Sequence, residues 1–303
     1  GSGGGRQSLA EAQFYPNDYD GIWASCPAIN WTQFLASGLW AVTVMNEYDH
    51  ILGFHKINAF RDAVHNSVGG KENYFQVEER IDFDPYTILG QKTKGGKITE
   101  KDCLVMQEIW KGPHTTGNDF LWYSFLPGGT FWNKIIPIGS FYYPLIGKRP
   151  KCFSLVEQYV HLAFEDPKKD LLHLKIRDFE KVFDTCIRKL GWLSCDHADL
   201  RPFANAGGKL IIDHGLDDPL IPVEGTIDYY HHMREIHGGQ NFIDRFCRLY
   251  INPGDGHGNC HTNGPGMTES TGIQALMNWV EHNKAPENLP AVLVNQKTGK
   301  TIR

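Results

Sequence analysis

The sequence has no run approaching the roughly 20 apolar residues that a membrane-spanning helix requires. It also has no internal repeat and no low-complexity tract. It lacks a basic excess: 30 Lys and Arg against 35 Asp and Glu leave a formal net charge of −5. That balance excludes a broad electrostatic grip on nucleic acid, which needs clustered cations. No Cys-x-x-Cys pair occurs among the seven cysteines, Cys26, Cys103, Cys152, Cys186, Cys195, Cys247 and Cys260. A zinc ribbon or a dithiol redox motif is therefore unsupported. Up to three disulfides are arithmetically possible, with one thiol left over, and their connectivity stays open. No secretory leader is visible, and a chain opening on Gly1 need not be the native start.

The content is that of a globular protein. Hydrophobic residues make up 41% and charged residues 21%, too apolar and too weakly charged for disorder. Aromatics reach 12%, with eight Trp, which suits burial against flat apolar groups. A length of 303 residues suggests two domains, or one domain with a large insertion. Residues 6–14 are helix-permissive and stop at Pro16, and residues 21–26 read as a short buried strand ending at Pro27. This is half of a parallel α/β unit. From about 30 to 204 the rhythm is lost, and helical pieces such as 34–45 alternate with loops rich in Gly, Pro and aromatics. It returns with a strand at 209–214, a helix at 223–236, a strand at 246–251 and a Gly-rich loop at 253–266. The closing helix, 273–282, carries Ala275, Leu276, Trp279 and Val280 at helical spacing.

Three residues fall where an α/β sheet presents its loops. Ser2 precedes a helix, Asp218 follows the 209–214 strand and His257 follows the 246–251 strand. The chemistry demands each type. A serine hydroxyl is a weak nucleophile until a base takes its proton, and His is the base that works near neutral pH. A carboxylate fixes the imidazole tautomer and stabilises the imidazolium. Small residues beside the serine let the chain turn sharply and let a backbone N–H, here that of Gly3, face an oxyanion. Each residue alone has a plain structural reading. Gly-Ser can be a terminal linker, Asp218 can cap a turn before Pro219, and His257 can be a surface histidine. Their joint order, Ser then Asp then His, is what supports the triad.

These residues sit inside longer motifs that resemble the tannase and feruloyl esterase family of α/β-hydrolases, a family that includes mono(hydroxyethyl) terephthalate hydrolase. The stretch Ser2-Gly3-Gly4-Gly5-Arg6-Gln7 is similar to the family's nucleophile motif except for its leading Cys. Tyr15-Pro16, Asp20-Gly21-Ile22 and Pro27-Ala28-Ile29-Asn30-Trp31-Thr32 also resemble it, as do Gly207-Gly208-Lys209-Leu210, His214-Gly215, Asp218, Ile221-Pro222 and Asp228-Tyr229-Tyr230. Pro253-Gly254 ahead of His257, and Trp279-Val280-Glu281 with Ala285-Pro286, complete the likeness.

The resemblance implies an α/β-hydrolase core, residues 1–30 and 201–303, interrupted by a lid domain at 31–200. It implies a secreted serine esterase acting on esters of aromatic acids, of galloyl or feruloyl type, through Ser2, Asp218 and His257. The Gly3 N–H would then serve the oxyanion hole. Trp122, Phe131, Trp132 and Tyr142 are the aromatic residues expected to hold the acid. Neither nucleic acid nor membrane enters as a partner.

The departures carry expectations of their own. The family joins a Cys before the serine to a Cys after the histidine, and Gly1 and Gly258 stand at those positions here. The family's calcium loop is similar to residues 65–73, but Asn66, Gly69 and Asn73 replace its aspartates. Calcium wants several anionic oxygens, so no cofactor is expected. The family also has a long portion ahead of the nucleophile, including a strand and a second oxyanion donor. A second polypeptide supplying that portion is therefore expected as a partner, and the chain alone is expected to be poorly folded and inactive.

Two rival readings compete. Asp255, His257, Cys260 and His261, with His214 near, form a compact set that zinc could accept, although the spacing matches no strong signature. A relative that has lost activity and kept only an aromatic pocket is the alternative from outside enzymes. Elsewhere the plainer readings hold. Residues 94–101 read as a solvated charged loop, and Phe120-Leu121-Trp122-Tyr123 as core more readily than as a ligand cage. Asn30-Trp31-Thr32 fits a glycosylation pattern but is equally explained as part of the family motif.

Overall fold

In the computed structural model the chain forms two compact units. The structure describes residues 1–68, 81–129, 143–145, 149–151, 153–258, 264–294, 298 and 301–302. One unit comprises Gly1–Asn30 and Ser194–Arg303, and the other is drawn from residues between 31 and 193.

The first unit rests on three parallel strands, Gly21–Ser25, Lys209–Gly215 and Cys247–Asn252, with Lys209–Gly215 in the middle. Trp23 pairs with Ile211, and Ile212 pairs with Leu249. Leu210, Ile211 and Ile212 are all fully buried. A parallel strand covered on both faces is written as a continuous apolar run, not as an alternation, which is why 209–214 is legible as a strand. On one face, Ile22, Ala24, Leu210 and Ile212 pack with Leu9 and Ala12 of the helix Gly3–Phe14 and with Phe203, Tyr229 and Phe246. Trp23 points to the opposite face, as the strand period of two requires. There the helix Glu269–His282 packs against the first strand. The helix Val223–Ile236 follows the central strand, and a small antiparallel sheet of Gly266–Met267, Ala291–Val294 and Thr301–Ile302 closes the unit.

The chain leaves this unit after Asn30 and returns at Ser194. Its two ends there are tied together, since the Cys195 N–H donates to the Ile29 carbonyl at 2.8 Å.

The second unit is mainly helical, with Trp31–Ser37, Trp40–Glu47, Phe54–Ser67, Glu100–Lys111, Ser154–Phe164 and Ile176–Leu190. The single helix expected over 34–45 is two helices. Glycine is a poor helix former, and at Gly38 the first helix ends, with its N–H on the Phe34 carbonyl at 3.1 Å. Trp40 anchors the core, edge-on to Phe179 at 5.0 Å and to His114 at 4.8 Å. The helix Glu100–Lys111 opens on a capping box between Thr99 and Asp102. Asp102 is buried and also takes Lys56 at 2.6 Å and His50 at 2.8 Å. Among the described residues, no helix is long and apolar enough to cross a membrane.

One glycine sets the spacing between the two loops that matter below. A Cβ on Gly215 would lie 2.3 Å from the Asp255 carbonyl oxygen and 2.6 Å from that of Gly256. Both neighbours are backbone and cannot swing aside. Gly215→Ala is therefore expected to destabilise the protein by about 2 kcal/mol or more, read as a lower urea midpoint with unchanged slope.

Candidate active site

Ser2 sits in a sharp turn from which the helix Gly3–Phe14 starts at once. Its backbone has φ 56° and ψ −125°. A positive φ is uncommon for a residue with a side chain and persists only where the surroundings over-determine it. Here three hydrogen bonds do so. The Ser2 N–H donates to the Ser25 carbonyl at 3.1 Å, and the Ser2 carbonyl accepts from Arg6 N–H at 3.0 Å and Ala28 N–H at 3.2 Å. Glycine makes the close approach possible, because a Cβ on Gly5 would come 2.7 Å from the Ser25 carbonyl oxygen and 2.8 Å from Pro27 Cα. The serine is thus pinned beside the end of the first strand, at a helix N-terminus whose first N–H groups lack intrahelical acceptors. A sharp turn into a helix N-terminus is also the kind of place where α/β-hydrolases present a serine.

Asp218 lies on the loop that leaves the central strand and is buried. Its Oδ1 accepts the N–H groups of Leu220 at 2.7 Å and Ile221 at 2.9 Å. Its Oδ2 meets His257 Nδ1 at 2.8 Å and His214 Nε2 at 3.0 Å. His214 is itself held through Nδ1 by Thr226 Oγ1 at 2.8 Å. Both carboxylate oxygens are therefore filled, and the imidazole of His257 is aimed by the bond at its Nδ1.

The electrostatics follow. Burial alone would raise the pKa of Asp218, but the His257 charge and the hydrogen bonds from His214 and His257 hold its carboxyl well below the usual range. Burial alone would lower that of His257, but the Asp218 charge, the Asp218 hydrogen bond and a contact with Cys26 raise it well above the usual imidazole value. Each member of the pair thus favours the charged form of the other. The Asp218 share of its stability is present above the unfolded carboxyl value and lost as pH falls through the depressed folded value. The His257 share is present below the unfolded imidazole value and lost as pH rises through the raised folded value. A base must be neutral to accept a proton, so kcat/KM is expected to climb with a limb on the alkaline side of about 6.5. A pH profile with its limb at or below that of free imidazole would contradict this.

Cys26 completes the neighbourhood. It follows the first strand directly, is buried and is a free thiol. Its Sγ, a His257 nitrogen and an Asp218 oxygen lie within 4.8 Å of one another. A small thiophilic cation fits such a trio in principle, yet both oxygens of Asp218 already serve two donors each, which leaves no lone pair free for a third ligand. The rival zinc set of Asp255, His257, Cys260 and His261 falls only partly among the described residues. Asp255 is buried, with its carbonyl accepting the Asp217 N–H at 3.0 Å, while His214 is committed to Asp218, and Cys260 and His261 lie outside the described residues.

Of the residues expected to act, Asp218 and His257 are in direct contact, and Ser2 stands at the adjacent strand end. Trp122 belongs to the second unit, where its ring is 5.1 Å from that of Tyr123. Phe131, Trp132 and Tyr142 lie outside the described residues, as do Gly69 and Asn73 of the degraded calcium loop. Asn66 is exposed on the helix Phe54–Ser67 and offers a neutral amide oxygen in place of a carboxylate. The sequence reading missed His214 as a partner of Asp218, and missed Cys26 altogether. No local signal marks the first, because the contact depends on the turn that brings Asp218 back over His214. The second depends on the pairing of strands far apart in sequence.

Parallel strands with Ser2, Asp218 and His257 at their ends, and helices on both faces, define an α/β-hydrolase. The family model for tannase and feruloyl esterase matches residues 1–119 and 148–303, and the chain belongs to that family. A probable feruloyl esterase of Arthroderma benhamiae is 30% identical over 99% of this chain and 57% of its own length. Among solved structures, feruloyl esterase B from Aspergillus oryzae superposes with a TM-score of 0.80 at 20% identity, over 99% of this chain and 61% of that one. Tannin acyl hydrolase from Aspergillus niger gives 0.78 at 24% identity, over 99% and 59%. The chain thus spans about three fifths of the length of the relatives it matches.

Proposed function

We propose that this chain carries the catalytic machinery of a serine esterase that hydrolyses esters of aromatic acids. The observation that carries the reading is the Asp218–His257 contact at 2.8 Å beside a serine held at positive φ on a helix N-terminus. In this reading Ser2 Oγ attacks the ester carbonyl while His257 Nε2 takes its proton. Asp218 keeps Nδ1 protonated and stabilises the imidazolium. The Gly3 N–H faces the oxyanion. His257 then returns the proton to the departing alcohol, and water, activated by the same imidazole, releases the acid from the acyl-enzyme. Every proton is handled by groups of the chain, so the step needs no cofactor.

The aromatic acid is proposed from the relatives, which are named feruloyl esterases and a tannin acyl hydrolase. Export from the cell belongs to the same proposal. The retained Asp218–His257 contact favours catalysis over a ligand-binding role. The test is single-turnover hydrolysis of methyl ferulate and methyl gallate by the full-length protein, with a fluorophosphonate as serine probe. Release of the acid and labelling at Ser2 are expected. A probe that labels nothing, with neither ester cleaved, would overturn the proposal.

A further inference from the structure

The mechanism above leaves one nucleophilic group at the site without a task. Cys26 is held at φ 36°, with its N–H on the Asp213 carbonyl at 2.6 Å. Its Sγ lies within 4.8 Å of a His257 nitrogen and of an Asp218 oxygen. Nδ1 of that ring is held by Asp218 at 2.8 Å, which fixes the orientation of the imidazole. Thiol, imidazole and carboxylate, all within 4.8 Å, make a nucleophile, a base and an orienting group in the order that nucleophilic catalysis uses.

The space beside the sulfur is also specific. A Cβ on Gly1 would lie 3.6 Å from Cys26 Sγ, so the absence of a side chain at Gly1 leaves room at the sulfur, on the residue next to Ser2. The other described cysteines have different surroundings. Burial pushes the thiols of Cys103 and Cys186 up to about 11 and about 12, and that of Cys247 higher still. Cys195 is also raised by burial and faces the Arg6 guanidinium at 3.9 Å. Among the described residues, Cys26 is the cysteine grouped with both an imidazole and a carboxylate.

We propose that Cys26 is a second nucleophile of this site, a thiol served by the same His257–Asp218 pair as Ser2, and that small soft electrophiles modify it and thereby close the site. The electrophiles are haloacetamides, maleimides and α,β-unsaturated carbonyl compounds. With iodoacetamide, His257 Nε2 takes the thiol proton, and the sulfur pair forms an S–C bond to the methylene as the C–I bond breaks. Iodide leaves to solvent, and the imidazolium later passes its proton to water. The carboxamidomethyl group then occupies the room beside Gly1 and separates His257 from Ser2. Pro27, next in the chain, has no N–H to offer an oxyanion. The thiol is therefore suited to substitution and conjugate addition, and Ser2 to acyl transfer.

The thiol chemistry stands on the geometry alone, and only the loss of turnover rests on the esterase reading. Full-length protein is treated with limiting iodoacetamide, digested, and each cysteine quantified by mass spectrometry over time. Cys26 is expected to react at least about tenfold faster than Cys186 and Cys247, and His257→Gln is expected to slow it by about tenfold or more. Ser2→Ala should leave the Cys26 rate within about twofold, since it removes neither thiol nor base. Unreacted Cys186 and Cys247 in the same digest show that a variant is folded. Turnover should fall in step with Cys26 labelling, and turnover of Cys26→Ala should be indifferent to the reagent. Labelling of Cys26 no faster than of the core thiols in the unmutated protein overturns the proposal whether or not any variant folds. So does an unchanged rate in folded His257→Gln. Fast, His257-dependent labelling in a protein that cleaves no ester would instead count against the esterase reading alone.

Discussion

Replacing Ser2 with Ala is expected to lower ester turnover by about 10⁴-fold or more, the scale on which removal of a serine nucleophile acts elsewhere. KM should move little, because the hydroxyl contributes to the covalent step more than to ground-state binding. The fold should survive. The three hydrogen bonds that pin position 2 are all backbone bonds, and the Ser2 side chain makes no capping bond to the helix it precedes. Alanine meets the same positive-φ strain as serine, so the thermal midpoint should be nearly unchanged. Residual activity above the uncatalysed rate would come from the oxyanion donor and from binding. Turnover within about tenfold of the unmutated protein would remove Ser2 from the mechanism and leave Cys26 as the nucleophile to examine.

Asp218→Asn is the second large effect, and it should be felt in rate, pH profile and stability together. The carboxylate spends Oδ1 on two backbone N–H groups and Oδ2 on two imidazoles. An amide has one oxygen, so in either orientation its NH₂ faces a pair of donors. A drop of about 10⁴ in kcat is expected, as when an orienting carboxylate becomes an amide and the wrong imidazole tautomer results. Without the charge that raises it, the pKa of His257 should fall, so the limb of kcat/KM should move to lower pH. Breaking a buried charge pair on one side costs about 3–5 kcal/mol, and a urea midpoint measured near neutrality should show it. A variant that is equally stable, with an unmoved pH limb, would mean that Asp218 does not carry the charge that sets His257.

How much of this was legible in the sequence depends on how local each signal is. The three strands were readable because each is a short apolar run bounded by Gly, Pro or a polar loop, and the structure shifts them by about a residue. Ser2, Asp218 and His257 could be picked out as candidates because each sits directly after or before an element with its own pattern, and the structure brings Asp218 and His257 into contact. His214 was not, because its task depends on a turn that brings Asp218 back over it and on Thr226, a full loop later. Cys26 was not, because its closeness to His257 is created by the parallel pairing of the first strand with the central one and of that with the third. Nothing in the residues flanking Cys26 encodes that pairing. The split helix around Gly38 was lost to the opposite error, since apolar spacing ran through a residue whose missing side chain ends the helix.

The hydrogen bond between Ile29 and Cys195 has a consequence for how such a protein can change. Departure and return of the inserted stretch are clamped at one spot, so the strand order and the serine, aspartate and histidine loops are indifferent to what is threaded between the clamp points. Loop closure grows only as the logarithm of length, so lengthening or shortening the detour alters the free energy of the sheet slightly. Recombination at these two residues would transplant a different detour onto the same hydrolytic base without re-registering a strand. The detour could in that way be exchanged as a cassette, while the strands beneath it keep their sequence.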